Sequence, residues 1–125
     1  MSKIDCPFCN TPDSKILIRN ELCYARLDQY PVTEGHVLII PVRHFSNYFD
    51  STQDEKNAIW SLVDDAKQVI RQDRSPDGYN IGINIGRAAG QTIPHLHVHV
   101  IPRYEGDMVN PHGGVRGVIP TKQKY

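Results

Sequence analysis

Residues 95–101 read His-Leu-His-Val-His-Val-Ile, and this strict alternation constrains the fold more than any other stretch. In a β-strand successive side chains point to opposite faces, so His95, His97 and His99 share one face, while Leu96, Val98 and Val100 share the other. The apolar face demands a core beneath it. The imidazole face calls for a chemical use, because histidine is a donor, an acceptor, a nucleophile, an acid and a metal ligand near neutral pH.

The chain has 125 residues, enough for one domain with a hydrophobic core. Its 14 basic and 14 acidic side chains cancel. A neutral chain has no bulk attraction for nucleic acid or a membrane surface, so an anionic ligand must be held by local donors. No stretch is apolar and long enough to act as a signal segment or to span a bilayer. The three cysteines are odd in number, and two of them form Cys6-Pro-Phe-Cys9. That usage favours metal or thiol chemistry in a reducing compartment over a disulfide framework. A cytoplasmic protein with no membrane or nucleic-acid partner is expected.

Residues 15–19 and 22–27 read as two short strands around Asn20-Glu21, and 28–35 as a loop. His36–Ile40 is a β-branched strand ended by Pro41. Ile59, Leu62, Val63, Ala66, Val69 and Ile70 recur at helical spacing and predict a helix over about residues 52–73, capped by Asp50 or Ser51. Ser75-Pro-Asp-Gly78 stops it. Residues 79–85 alternate as a half-buried strand, a glycine-containing loop follows, and the histidine strand runs to Pro102. The tail 103–125 is rich in glycine and proline, without periodicity. Strands on both sides of one long helix indicate an α+β class with a mainly antiparallel sheet.

Three readings of the histidines compete. They are solvent-facing imidazoles on a structural strand, or ligands of one catalytic metal, or three groups with separate jobs. Spacing weighs against a shared metal: strand residues two apart are about 6.5–7 Å apart, so His95 and His99 are separated by about 13 Å, whereas zinc takes its nitrogens at about 2.0–2.1 Å. Separate jobs suit a neutral imidazole as nucleophile toward phosphorus.

The run Gly86-Arg-Ala-Ala-Gly-Gln91-Thr92-Ile-Pro-His95-Leu-His97-Val-His99-Val-Ile101 resembles the His-x-His-x-His signature of the histidine triad (HIT) superfamily. The likeness extends over about residues 6–103 and includes Asp28 after a strand, Gly35-His-Val-Leu-Ile-Ile-Pro41 and Asn84-Ile-Gly86. It implies a HIT-like fold with a five-stranded, mainly antiparallel sheet, one long helix and a short one, over residues 1–103, with 104–125 as a C-terminal extension. It also implies a nucleotide-binding hydrolase or nucleotidyl transferase acting at the α-phosphate of a nucleoside phosphate conjugate, and a homodimer. By that resemblance His97 is the nucleophile and His99 contacts the α-phosphate or bridging atom. Asp28 binds the ribose hydroxyls, and Asn84, Gln91 and Thr92 contact the phosphate side. The roles make physical sense: a carboxylate accepts from vicinal hydroxyls, and amide and hydroxyl donors stabilise phosphoryl oxygens.

Cys6-Pro-Phe-Cys9 by itself admits a metal-free thiol pair or half of a zinc site. Some bacterial histidine-triad proteins, and the related galactose-1-phosphate uridylyltransferases, resemble this chain in pairing Cys-x-x-Cys with a mid-chain histidine and the first histidine of the triad. The resemblance therefore implies structural zinc on Cys6, Cys9, His44 and His95, a closed Cys2His2 set. Cys23, in a predicted strand, reads as an inert buried thiol, and His36 and His112 as histidines outside the site. Residues 113–116, Gly-Gly-Val-Arg, resemble an extension of some bacterial members, with Arg116 either reaching a substrate phosphate or lying on the surface. Two functions stay open: the enzyme, acting on dinucleoside polyphosphates or nucleoside phosphoramidates, and a zinc-stabilised nucleotide-binding or regulatory module with little turnover.

Overall fold

The fold is given by a computed structural model that describes all 125 residues. Its strands are β1 (Ile18–Arg19), β2 (Cys23–Leu27), β3 (Val37–Pro41), β4 (Gly78–Gly82) and β5 (Val98–Arg103), and its one α-helix, α1, is Gln53–Asp73. The strands form a single antiparallel sheet in the order β1-β2-β3-β5-β4.

Period-two alternation sorts the side chains onto two faces. Cys23, Ala25, Val37, Ile39, Val98 and Val100 point one way and meet Ile59, Leu62, Val63, Ala66 and Ile70 of α1 in a continuous core. Tyr24, Leu38 and Ile40 point the other way and cluster with Cys6 and Phe8 of the N-terminal segment. No helix covers this second face. Leu96, Val98 and Val100 are buried on the helix side, so His97 and His99 lie on the uncovered side, as the alternation requires.

The helix begins where its cap chemistry is complete. Asp50 and Ser51 were the expected caps, but the N-cap is Thr52: its hydroxyl accepts from Glu55 N, and Glu55 Oε1 accepts from Thr52 N at 2.9 Å. The Thr-x-x-Glu spacing satisfies two orphan donors at once. Asp50 instead closes a short 3-10 turn, Tyr48–Asp50. The short second helix expected beside α1 is represented only by such 3-10 turns.

β3 is shifted by one residue to include Pro41, and the larger differences from the sequence expectation fall at three strand ends. β1 is only Ile18–Arg19, because Asp13–Lys15 winds into a 3-10 turn behind Pro12. β4 stops at Gly82 rather than Ile85, and β5 starts at Val98 rather than His95. These two have one cause. Residues 95–97 bond toward the segment after β3, with Leu96 N donating to Phe45 O at 2.7 Å and His95 Nε2 to Pro41 O at 2.8 Å, so β4 has no partner beyond Gly82. At its other end β5 continues through Pro102 to Arg103. β3 makes its last pair at Val37–Val100, so Pro102 has a neighbouring strand on one side only, where a missing N–H is tolerated.

Residues 104–125 are not extended. Arg103 forms a bidentate pair with Asp107. The 3-10 turns Gly114–Val118 and Pro120–Lys122 close the segment, and Gln123 Nε2 donates to Asn110 O and His112 O. Gly113 has φ +88° and a Cβ there would lie 1.8 Å from Gln123 O, so only glycine fits. No helix is long and apolar enough to cross a membrane.

Candidate active site and metal centre

On the uncovered face the register lines up three rows. Tyr24 and Ile40 are paired, with His97 next to them; Arg26, Leu38 and His99 are paired across β2, β3 and β5; and Asp28 bonds to His36, its N–H donating to His36 O at 2.9 Å. A cavity of about 280 Å³ opens above these rows, lined among others by Phe8, Arg26, Asp28, Asn84, Thr92, His97 and His99. Four residues expected to bind nucleotide, Asp28, Asn84, Thr92 and His99, thus share one cavity with His97.

Gln91 does not line it. Its Oε1 accepts from Gly86 N at 2.9 Å, and its Nε2 donates to Ser46 O and Ile93 O. Gln91 braces the loop whose turn, Arg87–Ala89, is bracketed by Gly86 and Gly90 at φ +88° and +93°. Arg116 is also absent from the cavity: its Nη2 donates to Lys122 O and its guanidinium lies over the Tyr125 ring.

Backbone carbonyls decide which histidine nitrogens carry protons. His97 Nδ1 lies 2.8 Å from His95 O, and a carbonyl only accepts, so Nδ1 carries the hydrogen and Nε2 keeps its lone pair. Burial lowers the His97 pKa, which keeps that lone pair free at neutral pH. Phe8, with its ring centroid 5.0 Å from that of His97, supplies the apolar wall.

His99 is ordered by a residue read from the sequence as lying outside the site. Val32 N donates to His36 Nδ1 at 3.0 Å, so a neutral His36 carries its proton on Nε2, which lies 2.9 Å from His99 Nδ1. His36 therefore donates to His99 Nδ1, and His99 presents Nε2–H as a donor. Burial, followed by the neighbouring His97 and His36, pushes the His99 pKa down to about 4. Burial likewise lowers that of His36, against the pull of Asp28, whose Oδ2 is 3.4 Å from His36 Nε2. The sequence signal for His36 is its position in Gly-His-Val-Leu-Ile-Ile-Pro, directly after the loop that starts at Asp28. Phe8 could have been found inside the Cys-x-x-Cys, and Arg26 from its two-residue offset to Asp28 on one strand face.

Cys6, Cys9, His44 and His95 bring one ligand atom each within 4.8 Å of one another. The nitrogen–nitrogen edge is 3.1 Å, and three of the four sulfur–nitrogen edges are 3.2–3.5 Å. A tetrahedron with zinc bond lengths has edges of about 3.3–3.6 Å for the same pairs. The tautomers fit as well. His95 Nε2 donates to Pro41 O and His44 Nε2 to Met1 O, so both Nδ1 lone pairs point inward beside two thiols. These four residues could hold a metal ion. Burial, followed by the neighbouring Cys6, raises the Cys9 pKa, against the pull of Lys3. Cys23 lies apart, its thiol pushed up to about 12 by burial, as expected of an inert core cysteine.

Residues 10–106 match the HIT domain model. The chain is 36% identical over 107 residues to an AP-4-A phosphorylase of Mycobacterium tuberculosis, covering 81% of this chain and 55% of that protein. It is 40% identical over 94 residues to the asymmetrical bis(5'-nucleosyl)-tetraphosphatase of Schizosaccharomyces pombe, covering 75% of this chain and 52% of that protein. The chain thus spans about half the length of these curated relatives. Among solved structures, a Zn-bound histidine triad family protein from Mycobacterium smegmatis superposes with a TM-score of 0.76 at 31% identity, covering 87% of this chain and 82% of the other. The domain match over residues 10–106 and the likeness to these relatives show that the chain belongs to the HIT family.

Proposed function

We propose that this protein is a nucleotidyl hydrolase or transferase that cleaves dinucleoside polyphosphates or nucleoside phosphoramidates at the α-phosphate through a covalent nucleotidyl-His97 intermediate. The observation that carries the reading is the bare Nε2 of His97, held in that tautomer by His95 O and facing a cavity with Asp28 and His99. The relatives named as AP-4-A phosphorylase and bis(5'-nucleosyl)-tetraphosphatase support a dinucleotide substrate.

In the first step the Nε2 lone pair attacks the α-phosphorus. A P–N bond forms, the bond to the leaving group breaks, and the leaving group departs with that electron pair. In the second, water or another acceptor attacks phosphorus, the P–N bond breaks, and the pair returns to Nε2. Splitting the displacement in two is the gain from covalent catalysis. His99 Nε2–H donates to a phosphoryl oxygen or to the bridging atom. Asn84 and Thr92 add donors beside it, Gln91 keeps their loop in shape, and Asp28 accepts from the ribose hydroxyls.

Zinc on Cys6, Cys9, His44 and His95 would be structural, since four protein ligands leave no open position for substrate or water. It would fix the start of the histidine segment, and so the His95 carbonyl that sets the His97 tautomer. The name of the Zn-bound relative supports this ion. The reading includes a homodimer, consistent with the open outer edge of β4, and a reducing, cytoplasmic compartment, consistent with three free thiols.

The test is a panel of dinucleoside polyphosphates and nucleoside phosphoramidates, with mass spectrometry of products and of trapped protein. The expected result is turnover and a nucleotidyl adduct on His97, both lost in His97→Ala while nucleotide binding persists. Binding without turnover or adduct across the panel would replace the enzyme by a nucleotide-binding module.

A further inference from the structure

Arg26 is the one buried cation that this mechanism leaves unused. It is only 9% exposed, and its side chain lines the same cavity as His97. A guanidinium carries five N–H donors and accepts nothing. Two of the five are spent: Nε donates to Leu27 O at 3.3 Å and Nη1 to Thr11 Oγ1 at 2.9 Å. No carboxylate pairs with it, since none of the chain's ion pairs includes Arg26. Three N–H donors are left without a protein partner on a side chain that lines the cavity. Burying an unpaired charge is costly, and an apolar side chain would close this part of the floor at lower cost.

The sheet register says what this charge can reach. Arg26, Leu38 and His99 stand side by side on three adjacent strands. Two strand spacings place Arg26 about 9.5 Å from His99 at the backbone. Asp28 lies two residues from Arg26 on the same strand face, about 7 Å away. With the α-phosphorus at His97 and His99 and the ribose at Asp28, as the proposed function has it, the cavity wall left for the base includes Leu38, Phe8, Pro7 and Arg26.

We infer that Arg26 reads the nucleobase, and that this site takes guanine in preference to adenine. The Hoogsteen edge of guanine offers two adjacent acceptors, O6 and N7, which match the two parallel N–H groups of a guanidinium. Adenine places its N6 amino group where O6 would be, so a donor meets a donor and one bond is lost. A pyrimidine is one ring shorter and leaves the guanidinium short of its edge. The inference rests on the nucleotide placement proposed above.

Two measurements test it. Calorimetry compares GMP with AMP on the zinc-loaded protein, and kcat/KM is compared for diguanosine and diadenosine tetraphosphate. The wild type is expected to favour guanine by at least about tenfold, the order of discrimination of a two-point contact to one base. Arg26→Leu is expected to bring the two nucleotides within about threefold of each other, chiefly by weakening guanine. Arg26→Gln, whose amide offers an N–H to N7 and an oxygen to an amino group, matches adenine instead and is expected to move the preference toward adenine, and it covers the case in which the leucine variant does not fold. A wild type that binds both nucleotides equally, or adenine better, overturns the base reading and leaves the proposed function intact. An equal loss for both nucleotides in Arg26→Leu also overturns it and makes Arg26 a phosphate contact. Failure of the wild type to bind either nucleotide overturns the placement on which both conclusions stand.

Discussion

The proton positions deduced at the histidines make a quantitative prediction about acid stability. His99 is only 21% exposed at its side chain and has a pKa near 4 in the folded protein, against about 6.5 unfolded. A histidine with a depressed folded pKa binds fewer protons when folded. Its contribution is therefore complete above about pH 6.5 and is lost as pH falls toward 4. With those two values, lowering pH from 7 to 4.5 removes about 2.4 kcal/mol through His99 alone. His36 and His97, also lowered by burial, add to the slope in the same direction. The assay is urea unfolding of the wild type and of His99→Asn at pH 7 and pH 4.5. The asparagine retains an amide in the pocket but does not titrate. The wild type should lose about 2 kcal/mol more than the variant over this interval, and the double difference cancels acid effects on the Cys6–Cys9–His44–His95 cluster that both proteins share. An NMR titration of His99 should give an apparent pKa below 5. Parallel losses in the two proteins, or a native pKa above 6, would refute the burial-depressed pKa of His99 and the stability built on it.

Four further outcomes are expected. In His36→Ala, kcat should fall roughly ten- to hundredfold with little change in KM, the usual cost of losing an outer partner that orients a working imidazole; an unchanged kcat would remove His36 from the site. Elemental analysis should find about one zinc per wild-type chain and almost none in Cys6→Ser, with a lower thermal midpoint, since structural zinc can contribute as much as a whole domain's net stability; equal zinc in both would reject the cluster. Glu55→Ala should cost about 2–3 kcal/mol in thermal unfolding, because the carboxylate holds both Arg43 and the Thr52 cap while almost fully buried. Gly113→Ala should loosen residues 110–125, read as faster proteolysis and hydrogen exchange there with little change in the main transition, because the added Cβ collides with Gln123 O.

Much of the fold was legible because its signals are local. The apolar spacing from Ile59 to Ile70 identified α1, and the alternation through Leu96, Val98 and Val100 identified the core face of β5. The strand ends were not, because they depend on partners: β4 stops at Gly82 only because residues 95–97 bond toward Pro41 and Phe45. The cap at Thr52 was readable in principle from Thr-x-x-Glu, but Asp50 and Ser51 offer equally good cap side chains until the Glu55 carboxylate is seen turned back on Thr52 N.

The same division runs through the site. Residue order by itself determined that three imidazoles occur at two-residue spacing, which in an extended strand puts the outer two about 13 Å apart and weighs against one shared metal. Motif likeness extended that to a family and to its expected site residues. A histidine's tautomer is set by whichever group lies against its other nitrogen. For His97 that group is local, the His95 carbonyl two residues before it, but for His99 and His95 only the tertiary structure decided it: Val32 N through His36, and Pro41 O, come from other segments and are brought up by the folded sheet. The same holds for Arg26: its charge is plain in the sequence, but its lack of a carboxylate and its place beside Leu38 in the cavity exist only once β2, β3 and β5 are paired.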